Sequence, residues 1–180
     1  MHTIRLAIGI IWIVFWVGWI LAAAGANASV RTRRFPTGGL SMIAVIVLIR
    51  LLPSNAVLSV HSRALGWVGA AIFVAGLGLA VWARVCLGRN WGMPMTVRAE
   101  PELVTAGPYR FVRHPIYTGL LLGVLGTSLA TSGFGLVVTA LLTLYFYFVA
   151  SVEERNMTEA FPTAYPEYRA HTKKLIPFVL

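Results

Sequence analysis

Long, almost uncharged apolar runs recur along this chain, and they constrain its fold more than any other feature. About 20 helical residues cross the ~30 Å hydrocarbon core of a bilayer. The runs predict five such segments: Ile4–Ala24, Gly39–Val60 with Pro53 near its outer end, Leu65–Leu87, Pro115–Thr131 and Phe134–Val152. Inside lipid each segment must satisfy its own backbone hydrogen bonds, which makes it a helix. Of the 180 residues, 58% are hydrophobic and only 12% charged. A soluble domain carries about 25% charged residues, so a soluble core cannot absorb this much apolar side chain. The predicted fold is all-α: a polytopic membrane protein with about five transmembrane helices and a cytoplasmic C-terminal helical tail. It reads as one membrane domain, with two helices in residues 1–62 and a core in residues 63–180.

The first run ends in the small-residue stretch AAAGANA, which resembles a signal peptide in outline. Its apolar part exceeds the usual ~7–15 residues of a signal core and holds Trp12, Trp16 and Trp19. A retained spanning helix is expected. The single cysteine, Cys86, excludes an intrachain disulfide or a cysteine metal cluster and reads as a small apolar side chain.

The net charge of +9 is distributed by topology. With five spans, Arg31, Arg33, Arg34, Arg84, Arg89, Arg98, Arg110, Arg113, Arg155, Arg169, Lys173 and Lys174 fall on one side. Arg5 and Arg63 fall on the other. Lys and Arg collect on cytoplasmic loops, which predicts an outside amino terminus and a cytoplasmic carboxyl terminus in a bacterial-type inner or plasma membrane. Anionic lipid is a compatible partner for the basic face; nucleic acid is not expected. Arg50 lies within the second segment. Insertion there costs roughly 2.5–3.5 kcal/mol, and snorkelling past Pro53 is the expected relief. Glycines and alanines of the third segment, with Gly119 and Gly123 in the fourth, read as helix-packing positions.

All six acids share the predicted cytoplasmic side. There the run GPYRFVRHPIYTG, Gly107–Gly119, carries the chemistry. Gly107 and Pro108 signal a turn, and Pro115 suits the first position of a helix. Arg113 and His114 then stand at a helix amino terminus, where free N–H groups and the dipole favour an anion. The last two segments form a hairpin of nearly equal legs through TSGFG, so Glu153 and Glu154 return to the same face. An anion receptor beside a cation receptor suits a zwitterionic amino-acid group. Its carboxylate would face Arg113 and His114, and its ammonium Glu153 or Glu154. Trp91, Tyr109, Phe111, Tyr117, Phe161, Tyr165 and Tyr168 could stack on a heterocycle or face a sulfonium. The plainer alternatives are interface aromatics and a structural Arg–Glu clamp.

The run LVTAGPYRFVRHPIYTG, the distant pair Glu153–Glu154, the later Phe161, Tyr165 and Tyr168, and the preceding WARVCLGRNW together resemble the isoprenylcysteine carboxyl methyltransferase family. The resemblance covers roughly the carboxyl-terminal half. It implies S-adenosylmethionine as methyl donor. It also implies a pocket lined by Leu103, Val104, Tyr109, His114, Pro115, Ile116 and Tyr117, with Glu153 or Glu154 on the ammonium and Arg113, Glu153 and Glu154 as the candidate catalytic set. An ionised carboxylate acceptor would need no general base. Eukaryotic members usually carry an Arg a turn before the acid pair, where Val149 stands here, and Pro162 replaces a common Gly. The expected acceptor is a lipophilic small molecule or lipid-linked group, including a prenylcysteine-like carboxylate. Competing expectations are phospholipid head-group N-methylation, an NADPH-dependent sterol-reductase-like enzyme, and a non-catalytic scaffold.

Overall fold

The computed structural model describes residues 2–24, 62–88, 91, 102–131 and 134–176. The expected Gly39–Val60 span and Arg50 lie outside the described residues, as do Arg31, Arg33, Arg34, Arg89, Arg98, Glu100 and the tip of the last hairpin. The described chain is helical: α1 (His2–Ala24), α2 (Arg63–Leu87), a 3-10 turn (Gly107–Arg110), α3 (Pro115–Thr131), α4 (Phe134–Ala160) and α5 (Ala164–His171). Helices α1, α2 and α4 are long and apolar enough to cross a membrane. Helix α3 has 17 residues, about 26 Å at ~1.5 Å each, slightly short of a full crossing. Many large apolar side chains point outward, among them Ile13, Val14 and Leu21 on α1, Val68 and Val85 on α2, and Leu144 and Phe148 on α4. Lipid is the solvent such surfaces require.

Helix ends follow local chemistry. The Ser62 hydroxyl accepts from the Leu65 N–H at 3.4 Å and caps α2. At its other end Gly88 adopts φ 51° and returns its N–H to the Arg84 carbonyl. The expectation for the last span ended at Val152. The structure continues α4 to Ala160, before Pro162. Glu153 and Glu154 therefore sit inside the helix, not at its carboxyl end. Cationic side chains steady them there, as described below.

Small residues set the central contact. Helices α2 and α3 run antiparallel so closely that a Cβ on Gly76 would meet the Gly123 nitrogen at 2.6 Å and the Gly119 oxygen at 2.7 Å. One on Gly119 would meet Gly76 and Ala80 backbone at 2.6 Å. Without a hydrophobic drive between helices in lipid, this backbone approach supplies dispersion contact. Helix α4 then folds back on α3, with Ser128 Oγ 3.3 Å from Thr139 Oγ1. Helix α1 lies parallel to α2: Arg84 donates to the Ala22 carbonyl at 3.1 Å, and Arg5 at the other end donates to the Thr131 carbonyl at 2.9 Å. Trp12 donates to Thr127 Oγ1 at 3.0 Å. The carboxyl ends of α1, α2 and α4 and the amino end of α3 thus share one end of the bundle.

The seam predicts an asymmetry between neighbouring glycines. Gly78 meets nothing within 4 Å. Gly76→Leu should lower the thermal unfolding midpoint in detergent by several degrees, since overpacking costs about 1–3 kcal/mol, while Gly78→Leu should leave it within about a degree. Equal effects would contradict the seam.

Candidate functional site

The site grows from the turn before α3. Gly107 has φ 61°, and a Cβ there would meet Cys86 Sγ at 2.6 Å, so only glycine lets this turn seat against α2. Cys86 serves as packing, in keeping with its sequence reading. Pro108 and Tyr109 are buried by that seating. The chain then passes Val112, which bridges in parallel to Lys173. The Arg113 N–H donates to the Lys173 carbonyl at 2.8 Å and the His114 N–H to the Lys174 carbonyl at 3.1 Å. Thr118 Oγ1 donates to the Leu175 carbonyl at 2.6 Å. Residues 172–175 thus strap the segment entering α3. The backbone N–H groups of Arg113 and His114, just before α3, are held by this strap.

The structure brings Arg113, His114, Tyr117, Glu153 and Glu154 together. Arg113 Nε donates to Glu154 Oε1 at 2.7 Å, and the two side chains are only 8% and 4% exposed. Arg113 Nη1 also donates to the Thr172 carbonyl and, at 3.3 Å, to that of Arg169. Glu154 Oε2 lies 3.6 Å from Lys174 Nζ and 3.9 Å from Arg169 Nε. Glu153 is more open, at 24%. It accepts from the Tyr117 hydroxyl at 2.6 Å and lies 3.5 Å from His114 Nδ1. His114 Nε2 stands 3.4 Å from Glu154 Oε1, an ion-pair contact whose geometry leaves this buried ring nitrogen without a hydrogen bond. Burial alone would lower the His114 pKa, but the adjacent Glu153 and Glu154 carboxylates outweigh it and raise it.

Aromatic rings extend the site. Tyr117 stacks on His114 at 5.5 Å between centroids and on Phe146 at 4.7 Å. Tyr168 donates to the Tyr109 carbonyl at 2.6 Å, tying α5 to the turn. Burial pushes the hydroxyls of Tyr109 and Tyr165 well up and that of Tyr168 up to about 12, so they stay neutral donors. Leu103 and Val104 lie half-buried in the segment leading to the turn, Pro115 is buried, and Ile116 packs against the core. Trp91 is held elsewhere, against Arg84 at 3.4 Å from its ring centroid and edge-on to Trp19. Phe111 and His171 are exposed.

Sequence reasoning missed Phe146, Ser151 and Lys174. Phe146 stands seven residues before Glu153, two turns back on the same helix face, a spacing that could have found it. Lys174 carried no signal beyond the basic tail, because only the strap brings it to α4.

The model of the phospholipid methyltransferase family matches residues 65–164. A cobalt-zinc-cadmium resistance protein of Cupriavidus metallidurans, CzcN, is 37% identical over 124 residues, 65% of this chain and 55% of that protein. A methanethiol S-methyltransferase of Bradyrhizobium diazoefficiens is 33% identical over 78 residues, 43% of this chain and 27% of that protein. The protein-S-isoprenylcysteine O-methyltransferase of Schizosaccharomyces pombe is 30% identical over 151 residues, 79% of this chain and 61% of that protein. This chain spans about half or less of the length of the first two of these relatives. With residues 65–164 inside the family match and most of the chain aligned to the fission-yeast protein, the chain belongs to the phospholipid methyltransferase family, alongside the isoprenylcysteine O-methyltransferases.

Proposed function

We propose that this protein is a membrane methyltransferase that moves a methyl group from S-adenosylmethionine to a lipophilic or lipid-linked acceptor at the cytoplasmic face. The relatives named for O- and S-methyl transfer support the reaction class. The observation that carries the reading is the buried His114 Nε2, which makes no hydrogen bond, beside the more open Glu153 carboxylate. Together they offer a donor and an acceptor to the amino-acid end of the cofactor. When bound, the cofactor supplies an electrophilic methyl carbon on a sulfonium.

The chain's own residues bind and orient. Glu153 is the better partner for an ammonium, because Glu154 is already enclosed by Arg113, Lys174 and Arg169. The Tyr117 hydroxyl fixes the Glu153 carboxylate, and Phe146 backs the Tyr117 ring. His114 Nε2 aims at a carboxylate. In this reading Leu103, Val104, Tyr109, Pro115 and Ile116 line the remaining wall. Arg113 and Glu154 form the clamp that holds the strap against α3 and keeps this geometry. Positioning is the main requirement of an in-line displacement. An acceptor that is already ionised asks no base of the site. Basic residues at the shared end of the bundle support a cytoplasmic placement.

The two acids should separate on mutation. Membranes bearing the chain should incorporate tritiated methyl from S-adenosylmethionine into a solvent-extractable product. Glu153→Gln should cut this about 10–100-fold with little change in thermal stability. Glu154→Gln should instead destabilise by about 3–5 kcal/mol, because it strands Arg113. Incorporation no greater than in membranes lacking the chain would sink the reading; unimpaired transfer by Glu153→Gln would sink the assignment.

His114 gives a pH signature. Its folded pKa lies above the ordinary 6.5, so protonated His114 stabilises fully below 6.5, and that contribution is lost as pH rises through the raised value. Melting midpoints of wild type and His114→Gln should differ most on the acid side of that window and converge above it. A gap that widens with rising pH would contradict the pairing.

A further inference from the structure

The Lys174 side chain is held at 12% exposure, away from the basic tail that carries it. It runs along one stripe of α4. Its Nζ donates to Ser151 Oγ at 2.9 Å, lies 4.2 Å from the centroid of the Tyr147 ring, and stands 3.6 Å from Glu154 Oε2. Tyr147, Ser151 and Glu154 follow helical spacing, so they form a continuous line on that face. The line leads outward: Tyr147 is 46% exposed, and Leu144 and Phe148 beside it are more so, on a helix apolar enough to span a membrane. Lys174 therefore lies between the enclosed Glu154 and the apolar outer face of α4.

An ammonium has three donors. Ser151 takes one, and the Glu154 oxygen is beyond hydrogen-bond length, so the group keeps donor capacity. The local charge points the same way. Around Glu153 and Glu154 the described residues place Arg113, Arg169, Lys174 and His114. Cations outnumber carboxylates. S-adenosylmethionine would add to this excess, since its sulfonium and ammonium outweigh its one carboxylate. An anionic group on a second ligand would balance this excess.

Resting on the methyltransferase reading, we infer that Lys174, with Ser151 and Tyr147, is the acceptor-recognition point, and that it takes the anionic group of an amphiphile whose apolar chain lies along α4. Lys174 is a specificity residue and takes no part in holding the methyl donor. The anion can be the carboxylate of a prenylcysteine or the phosphodiester of a phospholipid. The shared requirement is a negative oxygen group next to a lipid chain.

The test uses the full chain in detergent, loaded with S-adenosylhomocysteine, and calorimetric binding of N-acetyl-S-farnesylcysteine, of its uncharged methyl ester, and of short-chain phosphatidylethanolamine. At least one of the two probes that carry a negative oxygen group, the farnesylcysteine carboxylate or the phosphodiester of zwitterionic phosphatidylethanolamine, should bind about tenfold or more tightly than the ester. Lys174→Gln should erase that preference and Lys174→Arg should keep most of it, the preference being read as the ratio of probe to ester affinity within each S-adenosylhomocysteine-loaded variant. Which of these two probes responds identifies carboxylate or phosphodiester. No preference in wild type, or a preference surviving in Lys174→Gln, overturns the inference while leaving the cofactor reading intact. A well-folded wild type that binds no S-adenosylhomocysteine overturns both.

Discussion

A carboxylate nearly removed from water must find cations, and the arrangement around Glu154 follows from that need. Its partners come from three places: Arg113 and His114 before α3, Arg169 on α5, and Lys174 on the strap. Each approaches from a different stretch of chain, so satisfying one buried charge docks the tail on the hairpin. The strap in turn occupies the N–H groups of Arg113 and His114. Breaking a buried pair leaves an uncompensated charge, which makes the clamp a condition for the site beside it. Glu153, one residue earlier, is less enclosed and accepts from the Tyr117 hydroxyl.

The clamp works only because the helices that carry it are fixed at depth. The glycine seam between α2 and α3 sets how close those backbones lie, and Gly107 seats the turn against Cys86 at the end of the same helix. Helix α4 is placed by its return along α3, where Tyr117 meets both Phe146 and Glu153. Interhelical contact thus places the acids opposite the His114 turn. Lipid surrounds the outer faces, and the polar groups gather at one end of the bundle.

Much of this was legible in the residues. Apolar run length revealed α1, α2, α3 and α4, since each must satisfy its own backbone in hydrocarbon. Pro115 marked the start of α3, and equal hairpin legs placed Glu153 and Glu154 opposite His114. The small residues Gly76, Gly119 and Gly123 announced a packing seam. Other features depend on tertiary context. The continuation of α4 to Ala160 could not be read, because hydropathy falls at Glu153 while the helix persists on cationic support. The roles of the two acids differ only through burial, which adjacent identical residues do not reveal. The strap that brings Lys174 to Ser151 has no periodic pattern of its own.

The central claim is that the His114 end of α3 receives the methyl donor. Calorimetry of S-adenosylhomocysteine with the detergent-purified protein and with His114→Ala tests it most directly. The account predicts micromolar-range binding by wild type, which corresponds to about 8 kcal/mol, and its loss in a variant that still folds. No binding by folded wild type, or undiminished binding by His114→Ala, would contradict it.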